Sequence, residues 1–175
     1  PEDAETFEEN ALHKACVVSK ATGLVAVADD SGLEVDALDG RPGVYSARYS
    51  ADVPGAENLG GQDRDQANNE KLLRELAEVP EQQRTARFRC VMAACAPDGE
   101  TLVRHGVWEG RIALAPEGEQ GFGYDPLFFD PELGCTSAML DRERKNARSH
   151  RGKALGELLA AWPQYWQRVV GKAGP

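Results

Sequence analysis

Along the first forty residues the apolar positions change period twice, and each change marks an element. Phe7, Ala11, Leu12, Ala15, Cys16 and Val18 recur at helical spacing behind Thr6 and Glu9, a T-x-x-E capping pattern, and Gly23 supplies a stop. The spacing predicts a helix ending at Gly23. Leu24 to Ala28 is then a short valine-bearing run, of the kind found in strands buried on both faces, and it breaks off at Asp29-Asp30-Ser31-Gly32. Leu33, Val35 and Ala37 alternate against Glu34 and Asp36, which predicts a second, tightly connected strand up to the Asp39-Gly40 turn.

Arg41 to Gln62 is rich in turn formers and reads as loop. Asp65 to Val79 has Ala67, Leu72, Leu73 and Leu76 on one side of an amphipathic helix that Pro80 ends. Arg84 to Ala96 alternates up to Pro97-Asp98-Gly99, so it forms a hairpin with Thr101 to Leu114, where Gly106 and Gly110 mark bulges or bends. Gly118 to Pro126 is a glycine-bearing loop, Leu127 to Phe129 a short strand, and Ser137 to Arg148 a charged helix. Ser149 caps a last helix carrying Leu155, Leu158, Leu159 and Trp162, which Pro163 bends or interrupts.

A length of 175 residues without a repeat or linker fits one α/β domain, 1–175. The net charge of −9 opposes non-specific binding to a nucleic-acid polymer or an anionic membrane. No apolar run reaches the length of a membrane span, and no basic leader precedes one. Cys16, Cys90, Cys95 and Cys135 lack C-x-x-C spacing and have mostly apolar neighbours, which predicts reduced core cysteines and a cytoplasmic location.

Three groups of residues carry candidate chemistry. Asp29 and Asp30 stand at the expected carboxyl end of a strand, where open α/β sheets place ligands, although Asp-Asp-Ser-Gly is also ordinary turn chemistry. Gly121-Phe122-Gly123-Tyr124-Asp125-Pro126 pairs a permissive backbone with an aromatic able to stack on a flat ring; alone, it is equally a glycine-rich turn capping the core. Lys145, His150, Arg151 and Lys153 gather cations before the last helix, where a solvated helix face would also explain them. Taken together, carboxylates for a divalent ion, a loop for a planar base and cations for oxygens describe a nucleotide site. Mg²⁺ binds through one or two carboxylates plus substrate phosphates, and no GxxxxGK[ST] loop is present.

The segments TFEENALHKA, ADDSGLEVDALDGRPGVYSARYS, GFGYDP and KNARSHRGKAL, in this order, resemble the inosine/xanthosine triphosphate pyrophosphatase family, the Ham1-like enzymes, over nearly the whole chain. The resemblance implies a central mixed sheet flanked by helices, two lobes around a nucleotide cleft, and a homodimer. It implies Mg²⁺-dependent hydrolysis of ITP, dITP and XTP to the monophosphate and pyrophosphate. By motif, Asp30 corresponds to the catalytic carboxylate and metal ligand, Glu2 to a further metal ligand, and Asp29, Glu9 and Lys14 to supporting positions. Ser31, Phe122, Gly123, Tyr124, Asp125, Lys145, His150 and Arg151 correspond to substrate-binding positions. Donors such as Arg151, His150 or backbone N–H groups would favour the C6 oxygen of hypoxanthine and xanthine over the amine of adenine.

The chain departs from the family pattern in five places. A strand and a T-x-N-x-x-K loop normally precede the position of Pro1, which leads to the expectation of a truncated chain and, as an alternative function, a nucleotide-binding module with little or no catalysis. Asp52 to Gly61 is an enlarged loop, and Met139, Arg144 and Cys135 replace residues of other charge. An α/β interaction domain without nucleotide binding is the third reading.

Overall fold

The computed structural model describes residues 4–171. Helix α1 (Phe7–Thr22) starts as its capping pattern requires: Thr6 Oγ1 accepts the Glu9 amide at 3.2 Å and donates to the Glu9 carboxylate at 2.9 Å. It stops at Gly23, whose φ of 71° lets its N–H reach the Ser19 carbonyl.

Strand β1 (Ala26–Val35) corrects the next expectation. One continuous strand passes through Asp29, Asp30, Ser31 and Gly32, where a turn between two strands was expected. Local turn propensity loses here because all three polar side chains find partners on helices, as described below. The expected burial on both faces is also absent, since Leu24 is 68% and Val27 51% exposed.

Two 3₁₀ turns (Asp36–Leu38 and Gly43–Arg48) lead to α2 (Gly61–Glu75). This helix stops at Glu75, short of the expected Val79: Pro80 has no N–H to offer the Leu76 carbonyl, and buried Arg84 donates to the Leu76 and Val79 carbonyls at 2.7 and 2.9 Å. The expected hairpin is β2 (Thr85–Cys95) with β3 (Thr101–Ile112). Short strands β4 (Phe128–Asp130) and β5 (Cys135–Thr136) follow, then α3 (Arg142–Arg148) and α4 (His150–Gly171). Helix α4 runs on through Pro163. Trp162, Val169 and buried Tyr165 around it pack into an apolar cluster, and the Tyr165 hydroxyl donates to the Glu100 carbonyl at 3.2 Å.

The sheet order is β1-β2-β3-β4-β5. The class is α/β, but the five strands are antiparallel where a mixed sheet was expected. Registers for β3 with β4 and β4 with β5 are antiparallel, and the tight β2–β3 link leaves no room for a crossover. Between β1 and β2, Asp36 meets Thr85 and Glu34 meets Arg87, so advancing along one strand retreats along the other.

The residues form two compact units. The first takes the chain up to Ser31, Arg89–Val107 and the chain from Arg148, around Ala94, Ala96, Leu102, Leu158 and Tyr165. In it, α4 lies so close to β3 that a methyl group at Gly106 would strike the His150 carbonyl, with the Ala154 amide nitrogen at 2.6 Å. Close helix approach, not a bulge, explains this glycine. The second unit takes Gly32–Phe88 and Trp108–Ala147. Its core includes Leu33, Val35, Leu72, Phe88, Trp108 and Phe128, and the Trp108 indole N–H donates to buried Asp130 at 2.8 Å. No helix among the described residues is long and apolar enough to cross a membrane.

Cys16 on α1 is disulfide-bonded to Cys95 at the end of β2, which corrects the expectation of four reduced cysteines; Cys90 and Cys135 are free thiols. The two Cα atoms stand 5.1 Å apart because α1 packs beside β2, a tertiary fact that spacing along the chain does not record. The bond closes a sequence separation of 79 residues, so its reduction should lower unfolding free energy by about 2–5 kcal/mol. Urea unfolding with and without a reducing thiol measures this, and coincident midpoints would count against the bond.

Candidate active site

The first unit contains the carboxylate pair. Successive strand residues point to opposite faces, and the structure uses both. Asp30 faces α1. Its side chain is only 12% exposed, so its charge needs partners, and both oxygens have them: Lys14 Nζ stands 3.0 Å from Oδ1, and Asn10 Nδ2 donates to Oδ2 at 3.2 Å. Asn10 and Lys14 are four residues apart and therefore share one face of the helix. Lys14 is thus an ion-pair partner, not the solvated residue that helical pattern alone suggests. Asn10 is 3% exposed and its Oδ1 accepts the Ala4 amide at 3.2 Å, so both ends of its amide are engaged. Sequence reasoning passed over it, although its place one turn before Lys14 on a buried helical face was the available signal.

Asp29 and Ser31, two apart and hence on the same side of β1, face α4. Arg151 Nε stands 3.2 Å from Asp29 Oδ2, and Arg151 Nη2 donates to Ser31 Oγ at 3.0 Å. His150, the first residue of α4, is buried, and Lys153 donates to the Val107 carbonyl at 2.8 Å. Glu9 stays with its capping partner Thr6. Glu2 lies outside the described residues.

The second unit contains the glycine-aromatic loop. Asp125, 4% exposed, organises it: Oδ2 accepts the Phe122 amide at 2.9 Å and the Lys145 ammonium, and Oδ1 accepts the Ser137 hydroxyl at 2.7 Å. Gly121 has φ 82°, and a methyl there would strike that carboxylate, so both the backbone and the space require glycine. Gly123 is held from α2, where Asp65 accepts its amide at 2.8 Å and Asn69 donates to its carbonyl at 2.9 Å. Tyr124 is buried, donates to the Ser46 carbonyl at 2.8 Å, and has its phenol pKa pushed up by burial. Phe122 alone turns outward, 64% exposed, with Lys145 Nζ 5.2 Å from its ring centroid. The cations read together in the sequence are therefore divided: Lys145 joins the Asp125 loop, and Arg151 joins β1.

No group of three or more His, Cys, Asp or Glu side chains among the described residues could hold a metal ion by itself. The donors present are the hard oxygens of Asp30 and Asp29, and a cation already sits 3.0 Å from Asp30 Oδ1. Because Asp29 and Asp30 face opposite sides of β1, only one of them can serve a given ion, and Asp30 alone fits Mg²⁺ held through one carboxylate and completed by substrate phosphates, not an all-protein cage.

The model of the Ham1 family matches residues 1–161. A protein of Nitratidesulfovibrio vulgaris named dITP/XTP pyrophosphatase is 66% identical over 166 residues, 95% of this chain and 79% of its own length. One of the same name from Geobacter sulfurreducens is 57% identical, over 90% of this chain and 74% of its own. Among solved structures, the Ham1 protein of Staphylococcus aureus superposes with a TM-score of 0.83 at 44% identity, covering 94% of this chain and 80% of that one.

Cys90, on β2 in the first unit, has its thiol pushed up to about 12, first by burial and then by the negative charge of Asp29. It should therefore stay unreactive at pH 8 in the folded protein, while half-exposed Cys135 is alkylated. Iodoacetamide labelling followed by peptide mass mapping checks this, and equal labelling of both would contradict it.

Proposed function

Because the chain belongs to the Ham1 family, we propose that it hydrolyses the inosine and xanthosine triphosphates ITP, dITP and XTP to the monophosphate and pyrophosphate, removing them from the nucleotide pool. The observation that carries this reading is Asp30, a largely buried carboxylate fixed in mid-strand by an ammonium and an amide from one helix face. The relatives named dITP/XTP pyrophosphatases support the choice of substrate.

In this reading a water oxygen attacks the α-phosphorus, the bond from that phosphorus to the bridging oxygen breaks, and pyrophosphate leaves. Asp30 orients the water and takes its proton. Lys14, already paired with Asp30, offers a positive charge to phosphate oxygens. Mg²⁺, held by Asp30 and by Glu2, would neutralise charge on the phosphates. Phe122 offers a face for the purine to stack on. Arg151, oriented by Asp29 and Ser31, supplies donors that suit a C6 oxygen and leave the adenine amine opposed to a donor.

The protein expressed from its complete reading frame should release pyrophosphate from ITP, dITP and XTP with Mg²⁺ far faster than from ATP. Intact substrates after prolonged incubation would sink the reading. D30N keeps shape and removes the base, so turnover should fall by about 10²–10⁴-fold; it also leaves the Lys14 ammonium without its carboxylate, so the melting temperature should fall somewhat while the protein still folds. R151A should narrow the ITP-over-ATP ratio of kcat/KM by about tenfold or more, since it removes the donors that discriminate. An unchanged ratio would place base recognition elsewhere.

A further inference from the structure

We propose that α2 holds the purine-stacking platform. Asp65 and Asn69 are positioning residues that fix Phe122 by gripping Gly123 at both its polar groups, and the platform they fix supplies affinity without selectivity among purines. The inference rests on the reading that Phe122 stacks on the base.

Asp65 and Asn69 stand one turn apart on α2, the spacing that puts two side chains side by side on a helix. One accepts the Gly123 amide and the other donates to the Gly123 carbonyl, at 2.8 and 2.9 Å. Asn69 Oδ1 is buried with no hydrogen-bond partner, so the donor half of this amide is held on Gly123 even at the expense of an unmatched acceptor. The φ of 60° at Gly123 is one that other residues rarely adopt, and the two bonds hold the backbone there. Together with the bond from the Phe122 amide to Asp125, these bonds keep a 64% exposed phenylalanine presented outward on a loop.

Selectivity follows from the donors that remain. The Phe122 amide donates to Asp125 and the Gly123 amide to Asp65. Both amides are engaged inside the protein, so neither can donate to a C6 oxygen. What Phe122 presents is a ring face, and stacking on a ring face accepts any base because every base has one.

The test compares ITP and ATP hydrolysis and melting temperature in the wild type, D65A, D65N, N69A, F122A and the F122A/D65A double variant. D65A removes an acceptor from a charged hydrogen bond, so KM for ITP should rise about tenfold while kcat stays within about twofold. The kcat/KM ratio of ITP to ATP should not move. D65N keeps an acceptor oxygen and should stay near wild type, whereas a residue serving only the helix would show no such rescue. N69A should raise KM by a smaller factor of about threefold, and it decides the matter if D65A does not fold. In the F122A background D65A should add nothing, because Asp65 acts through that ring. KM unchanged in D65A and N69A but raised in F122A would overturn the role of α2 alone. A shifted ITP-to-ATP ratio in D65A would overturn the absence of selectivity. KM unchanged in F122A would overturn the stacking reading itself and this inference with it.

Discussion

The ion pair and amide bond that α1 makes with Asp30 tie that helix to the middle of β1, and the build of the first unit follows from them. A carboxylate in the middle of a strand cannot turn away to water as one on a loop can, so both oxygens must be satisfied where they stand. Asn10 and Lys14 do this from one helix face, and the rest of α1 serves to put them there. Thr6 and Glu9 set where the helix starts, Gly23 sets where it ends, and the Cys16–Cys95 disulfide ties its middle to β2. The Ala4 amide, bonded to Asn10, carries the same constraint into the chain that leads into the helix.

The opposite face of β1 is held by a different device with the same logic. Asp29 and Ser31 receive one guanidinium, whose two nitrogens reach two strand positions, so Arg151 cannot shift without losing both bonds. Its place depends on the first turn of α4, and that turn depends on Gly106, which lets the helix backbone lie against β3. A glycine with no chemistry of its own thus sets where a guanidinium stands.

Local features were legible in the sequence. The T-x-x-E cap, the Gly23 stop and the Pro97-Asp98-Gly99 hairpin depend on neighbours within a few residues, and each formed. What the sequence did not record was long-range. Asp-Asp-Ser-Gly has turn chemistry, yet β1 runs straight through it because the partners of Asp30, Asp29 and Ser31 lie 16 to 122 residues away. The disulfide pairs cysteines 79 residues apart, and Lys145 and Arg151, six positions apart, go to different units. Within the glycine-aromatic loop the composition was clear but the division of labour was not: Tyr124 and Asp125 turn inward to build the loop and leave Phe122 to face out. The family resemblance named candidate residues; it did not reveal Asn10, Asp65 or Asn69, which act on other residues of the protein.

Asn10 with Lys14, and Asp65 with Asn69, are one device used twice. On α1 and again on α2, two polar side chains four residues apart hold a single element: a carboxylate in one case, a glycine peptide in the other. The consequences differ because the elements held differ. Holding Asp30 fixes a charge, and a fixed charge acts through electrostatics and proton transfer, which matter most where charge develops during reaction. Holding Gly123 fixes an apolar ring, and a fixed ring acts through contact area present before and during reaction alike. Discrimination between a C6 oxygen and a C6 amine needs a donor whose loss is costly, and with the Phe122 and Gly123 amides already engaged, the loop has none at those positions. Under the proposed function that discrimination is assigned to Arg151, whose orientation is set by Asp29 and Ser31.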